Sequence, residues 1–346
     1  MSTQSALALT EIGKPLAKIT LPIPNNELKD HELLVKITAA GLAPLDQKFR
    51  DKGHLGIGSR LPAVISGDIV GEIVKKGPSS TFQIGDHVFS QMVFSLNQAG
   101  GLQEYTILNG EYAAVVPAGI PDTEAALYPI NLVTAVMSFF SAAGFGLPLP
   151  ETPDATGFDY LSQKVVIIGG GSNIGKLSVQ LARFAGFGTI ITVASASSAE
   201  LLKSLGATHA IARQDVNIEA QVRAIVGDDL LYVYDTFTFG DLSLGASLLS
   251  NSKKGIFVYN GTGQIPEAIL EKKTAGLEEK RILGFSHFIP EFGRLFWGKI
   301  SGWLAEGKIK PLAYKTIEGL DADKVNFALD EYAAGRSGER YHIRIA

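Results

Sequence analysis

The chain has 346 residues, 46% of them hydrophobic and 19% charged, an ordinary globular composition with length for about two domains. Its 31 basic and 35 acidic residues leave a net charge of −4. No run of like charges occurs, so neither nucleic acid nor an anionic membrane surface is an expected partner. There is no cysteine, and the six histidines, at 31, 54, 87, 209, 287 and 342, are scattered; disulfides, thiolate nucleophiles and thiolate zinc sites are excluded, and no close metal-ligand pair remains.

The start, MSTQSALALTEIGKPLAK, lacks a basic stretch followed by a sustained apolar run, so it does not read as a signal peptide. Apolar stretches are broken well short of membrane-spanning length. A soluble cytoplasmic protein is expected. The first third reads as β-structure: 33–38 (LLVKIT) and 69–74 (IVGEIV) are short, β-branched and bounded by turn residues. Gly71, Gly77 and Gly85 mark turns or bulges, and 63–90 looks like repeated strand and turn, which a small barrel would close. From 122 the pattern changes. Residues 122–144 predict a helix with an Asp N-cap, interrupted by Pro129. A Pro-rich loop follows at 147–158. Strands at 164–169, 189–193, 210–212 and 230–234 then alternate with helices at 174–187, 199–205 and 217–226. That order predicts a doubly wound parallel sheet.

The central signal is VVIIGGGSNIGKLSVQLARFAG, residues 165–186. A buried strand runs through Gly169, Gly170, Gly171, Ser172, Asn173, Ile174 and Gly175 straight into a helix. Small residues let the backbone approach a pyrophosphate, and the N–H groups of the helix start face the anion. Ser172 replaces the second Gly of the G-x-G-x-x-G pattern, but the strand before, the helix after and a second strand about twenty residues on supply its context. At the end of that second strand an NAD-binding fold usually carries Asp or Glu. Here the chain reads Val193-Ala194-Ser195-Ala196-Ser197-Ser198, with no acid before Glu200. Hydroxyls at Ser195 and Ser198, with Arg213 after the third strand, suit a 2′-phosphate and so NADPH. The plainer reading is that 195–198 caps the next helix.

These residues resemble the medium-chain dehydrogenase/reductases, in particular the zinc-free quinone oxidoreductase and enoyl reductase branch. Gly41-Leu42-Ala43-Pro44-Leu45-Asp46 is similar to the family's Gly-Leu-Asn-Pro-x-Asp segment. Gly67-Asp68-Ile69-Val70-Gly71, Gly85-Asp86-His87-Val88 and Gly100-Gly101-Leu102-Gln103-Glu104-Tyr105 are similar to its barrel landmarks. Asn131 to Ala135, Leu205 to His209 and Glu306 to Pro311 complete the pattern in order. The resemblance implies a GroES-like β-barrel substrate domain over 1–122 and 312–346 and a Rossmann NADPH-binding domain over 123–311, with the active cleft between them. Zinc-bearing relatives place Cys near position 43 and His-Glu at the position of Gly67-Asp68, so no metal is expected. The loop 147–158 and the glycine turn also resemble fungal stand-alone and trans-acting enoyl reductases, which makes a polyketide synthase a candidate partner. Relatives dimerise through an edge strand of the cofactor sheet, placed near 255–263 here, while some polyketide partners are monomers; monomer and homodimer both stay open.

The resemblance further places Pro44, Leu45 and Thr134 near nicotinamide, and Gly170, Ser172, Asn173, Ile174 and Gly175 under the pyrophosphate. Asn260 and Gly261, after strand 255–259, form another wall, and Phe285 packs over the ring. Pro44 also reads simply as a turn and Phe285 as core. The chain departs from many relatives at Ala43 (Asn in them) and Gln47 (Tyr in them). Where some carry a Tyr proton donor after Gly, it has Gly53-His54, so His54 is the candidate acid; a solvated loop histidine is the alternative. His87 reads as an exposed barrel residue. Met92, Phe94, Phe285 and Phe288 line an apolar pocket or belong to the core. The implied reaction is NADPH-dependent reduction of an activated C=C bond in a small or polyketide-like substrate. Quinone reduction is the near alternative, and non-catalytic binding of NADPH or a metabolite the distant one.

Overall fold

The computed structural model describes residues 2–24, 27–93, 99–336 and 338–345; Phe94 lies outside them. The chain forms two compact units, one of Met1–Ile130, Phe285–Gly307 and Pro311–Ala346, the other of Asn131–Gly284 and Lys308–Lys310.

In the first unit a seven-stranded sheet runs Tyr314–Glu318, Arg340–Arg344, Glu32–Gly41, Asp68–Lys76, His87–Gln91, Ala113–Val115, with Tyr105–Asn109 also paired to Glu32–Gly41. A three-stranded sheet, Ala17–Pro22, Thr3–Leu9 and Ala63–Val64, accompanies it. Period-two alternation explains the central strand: Leu33, Val35 and Ile37 are fully buried while Lys36 is exposed. They share a core with Leu7, Ile69, Ile73, Val88, Leu329 and Ile343. Gly71 sits inside a strand, beside a register shift at Ile37/Ala39. A Cβ there would press on the Lys36 carbonyl and come within 3.0 Å of the Ile37 Cα, so the glycine permits a close strand approach. Gly85, with φ of +93°, makes the expected turn.

The second unit holds a six-stranded parallel sheet in the order His209–Ala212, Thr189–Ala194, Lys164–Ile168, Tyr232–Asp235, Gly255–Tyr259, Leu277–Arg281. Counted along the chain this is 3-2-1-4-5-6, the doubly wound order, whose direction switches between the first and fourth strands. Val165, Val166, Ile167, Ile190, Ile191, Phe257 and Val258 are all fully buried. Strands covered on both faces read as unbroken apolar runs, which is why 164–169 and 255–259 are visible in the sequence.

Three boundaries differ from expectation. Residues 123–130 and 285–307 pack with the barrel rather than the cofactor domain. The His342 ring bonds the Thr123 carbonyl, the Ile130 N–H donates to Asp68 at 2.6 Å, and Trp297 of helix Pro290–Ala305 packs edge-on against Phe89 at 5.6 Å. The expected helix over 122–144 is two, Asp122–Ala125 and Pro129–Phe140, divided at the proline. Finally, Gly255–Tyr259 is an interior strand, and the sheet ends on Leu277–Arg281; the edge is therefore not at 255–263.

Candidate active site

Strand Lys164–Ile168 runs into Gly169, whose φ of +74° only glycine adopts without strain. The N–H groups of Gly169 and Gly170 both donate to the Val193 carbonyl, at 2.9 and 3.3 Å. Ser172 then caps helix Asn173–Ala185, its hydroxyl accepting from the Gly175 N–H at 3.0 Å. Gly175 is fixed by space: a Cβ would strike the Gly169 carbonyl oxygen and lie 2.7 Å from the Gly170 Cα. At Gly170 a Cβ would come within 2.9 Å of the Thr192 Cβ. The first N–H groups of a helix have no partner inside it, and Asn173 and Ile174 carry them here. The Asn173 Oδ1 is buried without a partner. A turn that admits no side chain, a helix start and an orphaned buried amide oxygen together fit a bound dinucleotide.

Beside this turn, strand Thr189–Ala194 ends in Ser195. The Ser195 and Ser197 hydroxyls bond each other at 2.5 Å. The Ser198 hydroxyl hangs over the turn, 3.2 Å from where a Gly171 Cβ would stand. The Arg213 N–H donates to the Ala194 carbonyl at 2.7 Å, and its side chain is exposed. Glu200 instead pairs with Lys203 at 3.1 Å. The structure thus gathers Gly170, Ser172, Asn173, Ile174, Gly175, Ser195, Ser198 and Arg213 at the carboxyl ends of three neighbouring strands.

Thr134, Asn260 and Gly261 lie in the same unit. Tyr234, which was not among the expected site residues, is fully buried and donates to the Asn260 Oδ1 at 2.6 Å. The Asn260 Nδ2 donates to the Ile282 carbonyl at 3.2 Å, fixing the amide. Asp235 and Thr236 were also unassigned. The Asp235 carboxylate accepts from the N–H groups of Phe237 and Thr238 at 3.0 and 2.9 Å. The Thr236 hydroxyl donates to the Ile168 carbonyl at 3.0 Å and lies 3.0 Å from the Ser172 hydroxyl. An acid closing a β-branched run, YVYDTFT, was the available signal.

The remaining candidates belong to the barrel unit. Pro44 and Leu45 open helix Pro44–Lys52. Phe285 falls just beyond the unit boundary rather than with Thr134 and Asn260; it is 3% exposed and packs on His287 and Phe288, with ring centroids 5.8 and 5.5 Å away. Burial holds the His287 imidazole below its usual pKa. Met92 is buried and Phe288 exposed. His54 is half-buried and starts the short helical segment His54–Arg60, where Leu55 takes a left-handed φ of +51°. The exposed His87 pairs with Asp122 at 2.7 Å.

The positions that hold zinc in relatives are otherwise engaged. A Cβ on Gly67 would strike the Ile130 Cδ1. The Asp68 carboxylate is bound by Arg340 and by the Ile130 N–H, with both ionic partners buried. Among the described residues no group of three or more His, Asp or Glu could hold a metal ion.

A GroES-like barrel joined to a doubly wound nucleotide-binding sheet defines a class of oxidoreductase. Residues 29–119 match the family described as alcohol dehydrogenase GroES-like domain, and 173–292 the one described as zinc-binding dehydrogenase. The chain is 26% identical over 364 residues to dehydrogenase orsE of Emericella nidulans, covering 100% of each. It is 27% identical to the 2-methylene-furan-3-one reductase of Solanum lycopersicum, covering 90% of this chain and 71% of that one. To trans-enoyl reductase himH of Aspergillus japonicus it is 26% identical over 91% and 90%. Among solved structures, the CurK enoyl reductase superposes with a TM-score of 0.78 at 19% identity, covering 99% of each chain. The Coxiella burnetii quinone oxidoreductase gives 0.75 at 20%, covering 100% of each. A mycobacterial protein complexed with NADPH gives 0.75 at 21%, covering 99% of each. The chain belongs to the medium-chain dehydrogenase/reductase superfamily and is an oxidoreductase.

Proposed function

We propose that this enzyme uses NADPH to reduce a C=C bond conjugated to a carbonyl, without a metal. The observation that carries the reading is the serine ledge beside the glycine turn. Ser195, Ser197 and Ser198 stand where a carboxylate would select NADH, and their hydroxyls can donate to a 2′-phosphate that an acid would repel. Support for the C=C bond comes from the names of relatives, which act on a 2-methylene-furanone and on enoyl groups.

Gly170, Ser172, Asn173, Ile174 and Gly175 would hold the pyrophosphate, and Ser195, Ser198 and Arg213 the 2′-phosphate. Thr134, Asn260, Gly261, Pro44 and Leu45 would border the nicotinamide, with Phe285 packing near it. When bound, the cofactor supplies a hydride. With the hydride delivered to the β-carbon of the alkene, the part left to this chain would be protonation of the α-carbon, which the His54 imidazolium would supply.

The test follows the nicotinamide absorbance with a panel of enones, quinones and aldehydes. Saturable NADPH oxidation by enones, with aldehydes inert, is expected. Turnover of aldehydes alone, or NADPH binding without oxidation across the panel, would overturn the reading. In His54→Gln, kcat should fall about 100-fold, the lower end for a lost general acid. An unchanged kcat would assign the proton to water.

A further inference from the structure

Asp46 is a buried acid for which the proposed reaction has no use. It is 1% exposed, yet it lies in the turn that presents Pro44 and Leu45. One carboxylate oxygen accepts from the Ala43 N–H at 2.7 Å. That alone would be half of a helix capping box, since Ala43 has no side-chain acceptor to return the bond. The other oxygen reaches a different part of the barrel and accepts from the Ser66 N–H at 2.8 Å. Ser66 is held in an uncommon backbone state, with φ of +80°, and is fully buried. A non-glycine residue there is strained and persists only where its surroundings over-determine it. The Ser66 hydroxyl donates back to the Gly41 carbonyl at 2.9 Å, and its own carbonyl accepts from the Gly101 N–H at 2.9 Å. Gly41 to Asp46 and Ser66 are therefore tied at both ends.

We propose that Asp46 is a positioning residue, which clamps Ala43 to the strained Ser66 through one ionised carboxylate and so sets the backbone of Pro44 and Leu45 for hydride transfer. This rests on the reading that Pro44 and Leu45 border nicotinamide. The ionisable groups that face Asp46 from the elements packed on it are Asp68, Arg340 and Tyr332. Burial pushes the Asp46 carboxyl up to about 7, against the pull of its two N–H partners and Arg340. Protonation removes the charge that makes both N–H bonds strong, so in mild acid the turn is held less firmly, even though burial favours the neutral carboxyl.

The experiment compares the wild-type enzyme with Asp46→Asn between pH 5.5 and 9. The wild type should show an acid limb in kcat near pH 7, while the NADPH dissociation constant changes less than twofold across it. In the variant kcat should fall at least tenfold at pH 8, with NADPH binding again within twofold, and the acid limb should vanish. A general-acid His54 governs the alkaline limb, so Asp46→Asn should leave that limb in place. Hydrogen exchange of peptides spanning 40–50 and 63–70, measured without cofactor, should rise in the variant at pH 8. Equal exchange, or a folded variant with the wild-type kcat and pH profile, overturns the proposal. If no substrate oxidises NADPH in the wild type, the functional reading fails, while exchange still tests the clamp. If the variant does not fold, a wild type without the acid limb overturns it.

Discussion

At Gly175 the chain is fixed by what cannot be added to it. A Cβ would meet the Gly169 carbonyl and the Gly170 Cα, so Gly175→Val forces helix and strand apart where an anion would bind. Overpacking of this kind costs ~1–3 kcal/mol, within an ordinary stability margin of ~5–15 kcal/mol. The variant should fold by circular dichroism yet lose more than ~2 kcal/mol of NADPH binding in calorimetric titration. Parent-like affinity would remove the cofactor from this turn. Ser195 supplies the companion prediction. The wild type should prefer NADPH over NADH at least tenfold, about 1.4 kcal/mol, and Ser195→Asp should narrow or reverse that preference; equal dissociation constants in the wild type would refute it. Both residues were legible because their meaning is local: a turn between a β-branched run and a helix, and a strand end lacking an acid. Asp46, Asp68 and Tyr234 were not. Their partners Ser66, Arg340 and Asn260 lie 20, 272 and 26 residues away, and only the folded pairings bring them together.

The same contrast holds for whole elements. Strands 164–168, 189–194 and 255–259 announce themselves as apolar runs because both faces are covered. Leu277–Arg281 reads LEEKR and carries no strand signature; its pairing to Gly255–Tyr259 alone makes it a strand. Three of its four charged residues are engaged within its own unit. Glu279 accepts from the Tyr259 hydroxyl at 2.5 Å, and Lys280 donates to the Gly144 carbonyl at 2.8 Å and pairs with Glu278 at 3.1 Å. A short edge rich in charge resists pairing with another chain. The protein should therefore run as a single chain of 36.8 kDa in size exclusion with light scattering at micromolar concentration. A stable dimer mass there would show that this edge, or another surface, joins two copies after all.

Across the whole molecule, two buried groups of the barrel unit set opposing demands on pH. His342 is fully buried, its Nδ1 bonded to the Thr123 carbonyl and its Nε2 without a partner. Burial, aided by nearby Arg340, lowers its pKa from 6.5 to about 3. A base held neutral in this way contributes stability that is present above 6.5 and lost as pH falls through 3. Asp46 runs the other way: raised from 3.8 to about 7, it contributes stability that is present below 3.8 and lost as pH rises through 7. Between pH 4 and 6.5 the unfolded chain holds a proton on His342 and the folded chain holds one on Asp46. The two slopes, each about 1.4 kcal/mol per pH unit, cancel. His342→Asn removes one of them while its amide can still donate to the Thr123 carbonyl. Relative to the wild type, its urea-unfolding free energy should then fall by about 3 kcal/mol from pH 4 to 6.5. Asp46→Asn should tilt the comparison the opposite way. A His342→Asn profile parallel to the wild type would mean that the histidine does not stay neutral in the fold. The opposition also places a cost where the function needs it: the ionised Asp46 that clamps the Pro44 turn is the form the folded barrel tolerates least, as expected where stability is exchanged for activity.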